Sequence, residues 1–329
     1  MKIAKAEAAP NIAFIKYWGN RDDSLRIPLN SSISMNLGGL FTQTTVCFDD
    51  NLETDFVNIN QQPASSKASH RVSGFMDIVR SLAGLSTAAK VSSWNNFPMG
   101  SGIASSAAAF AALSLAASRA AGLNLDQAAL SRLARRGSGS ACRSIPAGIV
   151  EWHAGNCDEN SFAVQLATPE YWELVDCLAV VNEGHKRVGS SDGHRLSLSS
   201  PLQELRVSDS ARRYDQCRQA LLTRNFESLA DVIEQDSNLM HSVMNTSRPK
   251  LIYWNEATQN VIQAVRSIRK KGLEAAFTID AGPNVHVITL KKTLQAVKGQ
   301  LESIEGVLRI VVAPIGREAR YVEVNGDPS

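Results

Sequence analysis

Asn95-Asn96-Phe97-Pro98-Met99-Gly100-Ser101-Gly102-Ile103-Ala104-Ser105-Ser106-Ala107-Ala108-Ala109 runs small Gly and Ser residues straight into an alanine-rich segment. Alanine is the best helix former, so 102–123 reads as a helix entered through a Gly/Ser loop. The first-turn N–H groups of such a helix lack intrahelical partners, and its dipole is positive at that end. Backbone can therefore cradle phosphate oxygens there, with Ser105 and Ser106 adding hydroxyl donors or a metal ligand. A polyphosphate such as ATP is the natural guest. A Gly/Ser run by itself serves equally to pack a helix start closely into a core, so the rest of the chain has to separate the two readings.

Composition narrows the class. At 329 residues, 44% of them hydrophobic, the chain is long enough for two domains and a real core. Thirty-four Lys and Arg against 32 Asp and Glu leave a net charge of +2. No basic run is interleaved with aromatics, so nucleic acid is not an expected partner and any polyanion site must be local. Five cysteines at irregular spacing, without a CxxC pair, argue against a disulfide framework and for a reducing compartment, the cytosol. The stretch Met1–Gly19 has no uninterrupted apolar core ahead of a small-residue cleavage site, so secretion is not expected. The long apolar run at 102–123 is mostly Ala and Ser and is broken by Arg119, which fits a buried helix better than a membrane span.

Periodicity gives the outline. Segments 2–9, 33–38 and 42–49 read as strands, the last two as a hairpin around Gly38-Gly39, and 67–83 has helical spacing. Strand 88–94 feeds the Gly/Ser loop, and a second helix opens at Asn124 and stops at Gly137. Strands near 147–152, 162–166 and 174–181 follow. The polar stretch from Asn182 to Pro201 marks a junction, dividing the chain into 1–185, an ATP-binding α+β domain, and 186–329. In the second domain, helices at 203–224, 226–245 and 255–272 precede a hairpin across Ala281-Gly282-Pro283-Asn284 and a last helix and strand. The fold class is α+β in both halves.

Four segments carry the chemistry: Ala9-Pro10-Asn11-Ile12-Ala13-Phe14-Ile15-Lys16-Tyr17-Trp18-Gly19, the Asn95–Ala108 loop, Gly137-Ser138-Gly139-Ser140-Ala141-Cys142-Arg143-Ser144, and Phe277-Thr278-Ile279-Asp280-Ala281-Gly282-Pro283-Asn284. In content and order they resemble the motifs of the mevalonate diphosphate decarboxylase family within the GHMP kinase superfamily. The resemblance spans roughly residues 5 to 290. It implies two α+β domains with the active site in the cleft between them. It also implies an ATP- and magnesium-dependent enzyme that phosphorylates the tertiary alcohol of a mevalonate phosphate, then expels phosphate and carbon dioxide. A homodimer is the expected assembly, with no membrane partner.

The residue types suit that chemistry. A tertiary hydroxyl is a poor nucleophile and a poor leaving group, so the reaction needs a carboxylate beside the hydroxyl, cations for phosphate and a bound nucleotide. Asp280 stands before a Gly-Pro turn, where a carboxylate either caps the turn or projects into a cleft; the resemblance makes it the catalytic carboxylate. Lys16 follows the apolar Ile12-Ala13-Phe14-Ile15, where an ammonium needs an anionic partner, and it matches the family's active-site lysine. The Arg143 fork suits a carboxylate or phosphate. By the same match Asn11, Tyr17, Ser138, Gly139, Ser140 and Ser190 face substrate, the serines 138 and 140 meeting its terminal phosphate groups. Asn95, Asn96, Pro98, Gly100, Ser101, Gly102, Ser105 and Ser106 belong to ATP, and Ser105 or Ser106 to magnesium. No histidine pair has metal-ligand spacing with a third ligand, and none is assigned to catalysis.

The chain also departs from the family pattern. Its first motif usually continues Lys-Tyr-Trp-Gly-Lys-Arg-Asp, but here Asn20 stands in place of the second lysine. Ser191 stands where bacterial relatives carry the arginine of Ser-Ser-Arg-Glu-Gly-Met. Both losses fall where a diphosphate, roughly one charge richer than a monophosphate ester, would be held. The expected reaction is therefore decarboxylation of 5-phosphomevalonate to isopentenyl phosphate. The alternative is mevalonate 5-diphosphate going to isopentenyl diphosphate, with Lys186, Arg187 or Arg195 as replacement cation; a second alternative is a small-molecule kinase that does not decarboxylate.

Overall fold

A computed structural model describes residues 2–97, 105–184 and 188–323. Three main sheets organise them. The first has six strands in the order Arg320–Val322, Lys2–Ala8, Thr42–Phe48, Ala89–Asn95, Phe56–Ile59 and Gln62–Pro63, antiparallel except where Phe56–Ile59 meets Ala89–Asn95. Thr42–Phe48 alternates buried and half-buried residues, the period of a sheet with one covered face. The cover is the helix Ser105–Ala120, whose alanines let it lie close on Lys2–Ala8 and Thr42–Phe48 and bury twelve of its sixteen residues. Helices Ser66–Ala83 and Gln127–Gly137 complete this core.

The second sheet runs Ala163–Ala167, Ile149–Trp152, Ser32–Asn36, Asn11–Ile15, and the third Ala275–Thr278, Val285–Leu290, Leu174–Val180, Arg309–Pro314. Asn11–Ile15 and Ser32–Asn36 are buried along their whole length, because helices Ser210–Leu222 and Phe226–Thr246 pack across them. One apolar cluster joins Ile12, Phe14 and Ile33 of the second sheet to Leu229 and Ile233 of the second of these helices and to Ala276 and Ile288 of the third sheet. The two halves therefore share a core. No helix among the described residues is long and apolar enough to cross a membrane.

Several expectations need correction. Segments 33–38 and 42–49 do not form a hairpin: Ser32–Asn36 lies in the second sheet and Thr42–Phe48 in the first. The intervening Leu37 and Gly38 bond instead to Pro10 and Pro314 carbonyls, so tertiary partners override the Gly-Gly turn signal. The sheets do not divide at 185/186 either. Leu174–Val180 pairs with Val285–Leu290 and Arg309–Pro314 in the third sheet, while Arg320–Val322 returns to the first. The polar stretch that suggested a junction contains the helix Ser190–Leu196, and several of its polar residues, His194, Ser197 and Ser200, are buried. The helix expected at 203–224 is two, Gln203–Ser208 and Ser210–Leu222, meeting at Asp209, whose carboxylate binds Arg212 and Arg213. Asp126, not Asn124, caps the helix Gln127–Gly137 by accepting the Ala129 N–H at 2.7 Å.

Gly137 ends that helix against Phe110, and a Cβ there would fall 2.1 Å from the ring. Gly137→Ala is expected to destabilise the protein by roughly 1–3 kcal/mol through overpacking, read as a lower urea midpoint at unchanged slope.

Candidate active site

Lys16 leaves the end of the strand Asn11–Ile15, and its backbone is held from both sides. Its N–H donates to Asp236 Oδ2 at 2.6 Å, and its carbonyl accepts from Arg206 Nη2 at 2.8 Å and Asn30 Nδ2 at 3.0 Å. Arg213 Nε, 2.8 Å from Asp236 Oδ1, completes a buried Asp–Arg pair behind it. Asp280 leaves the strand Ala275–Thr278, and the preceding Ile279 is fixed by the same helix that carries Asp236. Ser237 Oγ accepts the Ile279 N–H at 3.0 Å, and His241 Nε2 lies 3.3 Å from its carbonyl.

These supports bring Lys16 Nζ to 2.6 Å from Asp280 Oδ1, the lysine side chain 1% exposed and the aspartate 27%. One oxygen of Asp280 is thus engaged by the ammonium while the carboxylate still faces a cavity of about 500 Å³. Burial would raise the Asp280 carboxyl, but Lys16, His286 and Arg143 outweigh it and hold the pKa below its ordinary 3.8. Burial draws the Lys16 ammonium down from 10.5, and Asp280 opposes that shift.

Arg143 sits on the short 3-10 helix Gly139–Ser144, beneath the cavity wall. Its Nε donates to Asn11 Oδ1 at 3.2 Å and its Nη1 to Ser32 Oγ at 2.8 Å, so the guanidinium is aimed by neutral groups and keeps its charge available. Asn11 itself does not line the cavity; it donates to Ser140 O and Ser144 Oγ and thereby steadies that helix. Ser138, Gly139 and Ser140 do line it, and Ser106 Oγ lies 3.1 Å from Ser138 Oγ. Only glycine fits at 139, where a Cβ would stand 2.4 Å from the Tyr17 ring.

Ser105 and Ser106 open the helix Ser105–Ala120 on the cavity, and Ser190 lines it from the helix Ser190–Leu196. Asn95 and Asn96 hold the end of the strand Ala89–Asn95: Thr42 Oγ1 donates to Asn95, and Asn96 bridges Gly39 O and the Phe41 N–H. Pro98, Gly100, Ser101, Gly102, Lys186, Arg187 and the side chain of Ser191 lie outside the described residues. Asn20 is not among the residues lining the cavity; its amide accepts from Tyr17 Oη and donates to Asp23 at 2.7 Å.

Sequence reading missed several residues here. Arg26, Lys67 and Arg71 line the cavity with no ion-pair partner among the described residues. Lys67 and Arg71 lie four apart on the helix Ser66–Ala83, the spacing of one helix face, which was the available signal. His194 accepts the Gly19 N–H through Nδ1 at 2.9 Å and stacks on Tyr17 and Trp18. Burial pushes its pKa down to about 3, so it is a neutral spacer. Among the described residues no group of three or more His, Cys, Asp or Glu side chains could hold a metal ion. A cation carried in by phosphate oxygens, with one protein hydroxyl or carboxylate added, is the kind that fits.

Fold and cavity together define an enzyme cleft for small polyanions. Residues 8–163 match the family described as diphosphomevalonate decarboxylase-like N-terminal domain, and residues 177–309 that described as mevalonate 5-diphosphate decarboxylase C-terminal domain. The chain is 35% identical to the diphosphomevalonate decarboxylase of Candida albicans over 301 residues, covering 86% of this chain and 83% of that protein. It superposes on the mevalonate diphosphate decarboxylase of Staphylococcus aureus with a TM-score of 0.94 at 36% identity, over 98% of each chain. A structure described as MDDEF in complex with MVAPP, AMPPCP and magnesium gives 0.93 at 37% identity, over 98% of this chain and 99% of that one. The chain belongs to the mevalonate diphosphate decarboxylase family, ATP-dependent carboxy-lyases with the GHMP kinase fold.

Asp236 is expected to be the residue on which Lys16 placement depends. Asp236→Asn breaks the fully buried ion pair and leaves Arg213 only the partly exposed Asp209 carboxylate as counter-charge, and is predicted to cost about 3 kcal/mol of stability by denaturant unfolding. Asp236→Asn with Arg213→Met, which removes both charges, is predicted to recover part of that loss.

Proposed function

We propose that this chain, with Mg²⁺ as cofactor, converts mevalonate 5-diphosphate and ATP to isopentenyl diphosphate, phosphate, ADP and carbon dioxide. The observation that carries the reading is the charge around the cavity. Six cations line it, Lys16, Arg26, Lys67, Arg71, Arg143 and Arg195, against the two carboxylates Asp192 and Asp280. Lys16 pairs with Asp280 and Arg195 with Asp192, which leaves four cations facing the cavity without a carboxylate among the described residues. That surplus suits a substrate bearing a carboxylate and a diphosphate. The names of the relatives point the same way, and the monophosphate expected from Asn20 and Ser191 loses its ground. Arg195, one of the three replacement cations considered, lines the cavity.

In this reading Asp280 receives the tertiary hydroxyl on its free oxygen, orients it and takes up its proton. Lys16 keeps Asp280 ionised and stands beside the charge that develops on the phosphoryl group. ATP, when bound with magnesium, supplies the phosphoryl group that makes the hydroxyl a leaving group. Its phosphates suit the start of the helix Ser105–Ala120, with Ser105 or Ser106 adding an oxygen ligand to the metal. As the carbon–oxygen bond breaks, the proton taken up by Asp280 leaves with the departing phosphate, and the restored carboxylate stabilises the positive carbon until carbon dioxide departs. Arg143 holds a carboxylate or phosphate oxygen in place from the floor of the cavity.

Purified protein offered ATP, Mg²⁺ and each of mevalonate, its 5-phosphate and its 5-diphosphate is expected to release carbon dioxide and ADP in equal amounts, with the highest kcat/KM on the diphosphate. Preference for the monophosphate would overturn the substrate reading. Asp280→Asn is predicted to lower turnover by roughly 10²–10⁴-fold while nucleotide affinity by calorimetry stays within error. Replacing Ser105 and Ser106 together with Ala is predicted to raise KM for ATP or cut turnover by roughly tenfold without loss of helix content by circular dichroism. Because the Asp280 pKa lies below 3.8, its stabilising pairing is present above that pH and is lost only as the pH falls through the lower folded value. The Asp280 carboxyl ¹³C shift should therefore hold its ionised position from pH 7 to pH 4.

A further inference from the structure

Arg26 occupies a costly position. It lies in the turn between the short paired strands Asn20–Asp22 and Ile27–Pro28, at φ +54°, a left-handed conformation that a long side chain seldom takes. The turn is held in that shape from both sides. The Leu25 N–H donates to Asp22 Oδ1 at 2.8 Å, and the Leu25 carbonyl accepts from the buried Arg135 Nε at 2.9 Å.

The guanidinium is aimed as well. Arg26 Nε donates to the Arg136 carbonyl at 3.1 Å, and Arg71 Nη2 donates to the next carbonyl, Gly137, at 2.9 Å. Two arginines are thus pinned on consecutive carbonyls at the end of one helix, directly before Ser138 and Ser140. Neither terminal nitrogen of Arg26 meets an acceptor among the described residues, and no carboxylate lies between the pair. Burial and the like charge of Arg26 bring Arg71 down to about 10. An anion placed against both would relieve that repulsion and take bidentate, charge-assisted hydrogen bonds.

We propose that Arg26 is the specificity-determining cation for the distal phosphate of the substrate, replacing across the same turn the cation that position 20 lacks. The inference rests on the diphosphate reading above. Asn20 is unable to serve, since its amide is engaged by Tyr17 and Asp23, whereas Arg26 reaches the cavity from the far side of the hairpin. A monophosphate has no second phosphate to offer the Arg26–Arg71 pair, so on this proposal Arg26 separates the two substrates.

Arg26→Asn removes the charge while keeping a residue type that accepts the left-handed backbone. It is expected to lower kcat/KM for mevalonate 5-diphosphate by roughly tenfold to a hundredfold, while that for 5-phosphomevalonate changes less than threefold. Arg26→Lys, which keeps the charge but loses the fork, should fall between the two. In the same series, inorganic pyrophosphate titrated by calorimetry should bind Arg26→Asn more weakly than wild type by a similar factor, and inorganic phosphate should not discriminate. Equal pyrophosphate affinities, or equal losses on both substrates, would overturn the role of Arg26. Failure of the wild type on the diphosphate, with pyrophosphate still bound through Arg26, would overturn the substrate reading and leave the cation in place.

Discussion

The ion pair between Lys16 and Asp280 joins segments 264 residues apart and constrains most of what surrounds it. Burying two charges costs several kcal/mol each in desolvation, recovered only where geometry is good and the remaining polar groups are satisfied. The helix Phe226–Thr246 meets that condition for both partners. Asp236 grips the Lys16 backbone, while Ser237 and His241, four residues apart and therefore on one face, grip the residue before Asp280. Elsewhere on the helix Leu229 and Ile233 enter the apolar cluster that joins the second and third sheets. The distance between ammonium and carboxylate is thus set by a core helix rather than by loops. Thr278 Oγ1 adds a direct tie, donating to the Ala13 carbonyl at 3.0 Å between the two strands that deliver the pair.

Much of this was legible in the chain. An ammonium placed after four apolar residues demands an anion, but an Asp before a Gly-Pro turn can equally cap that turn, and it was the resemblance to the family that coupled Lys16 with Asp280 before any coordinates. Arg143 was legible because a small-residue segment precedes it. Asn11 supports Arg143 and the 3-10 helix through its hydrogen bonds and does not itself line the cavity, a placement that residue type and spacing cannot express. Arg26 was invisible for a related reason. Its sequence neighbours form a three-residue and a two-residue strand, too short to show periodicity, and only the folded turn aims the side chain. On the diphosphate reading, Asn20 misleads because a missing lysine at one position says nothing about a cation arriving from another.

The fold was legible wherever one face met solvent and obscure where neither did. Thr42–Phe48 advertises its alternation, and Ser66–Ala83 its helical spacing. Leu174–Val180 is buried at every position, so its residues identify a strand without saying which sheet it joins. Its partners come more than a hundred residues later, and the polar stretch that follows it reads locally as a boundary. The apparent hairpin at Gly38-Gly39 fails in the same way, since turn chemistry is local and the choice of sheet is not.

Charge organisation gives the site its character. Paired groups such as Lys16 with Asp280 find their counter-charge within the protein. Arg26, Lys67, Arg71 and Arg143 have no carboxylate among the described residues, and Arg26 and Arg71 repel one another. A fold tolerates such a cluster where hydrogen bonds to neutral acceptors fix the guanidinium groups, as Arg136 O, Gly137 O, Asn11 Oδ1 and Ser32 Oγ do here. Neutral acceptors orient a cation without cancelling it. The stabilisation withheld from the fold itself is then available to whatever polyanion enters, and it is largest for the ligand whose charges reach every cation at once. That places selectivity among anionic substrates in the number and reach of the phosphates rather than in the shape of the carbon skeleton. On the proposed function, the Lys16–Asp280 pair, neutral as a unit, is left to act on the hydroxyl.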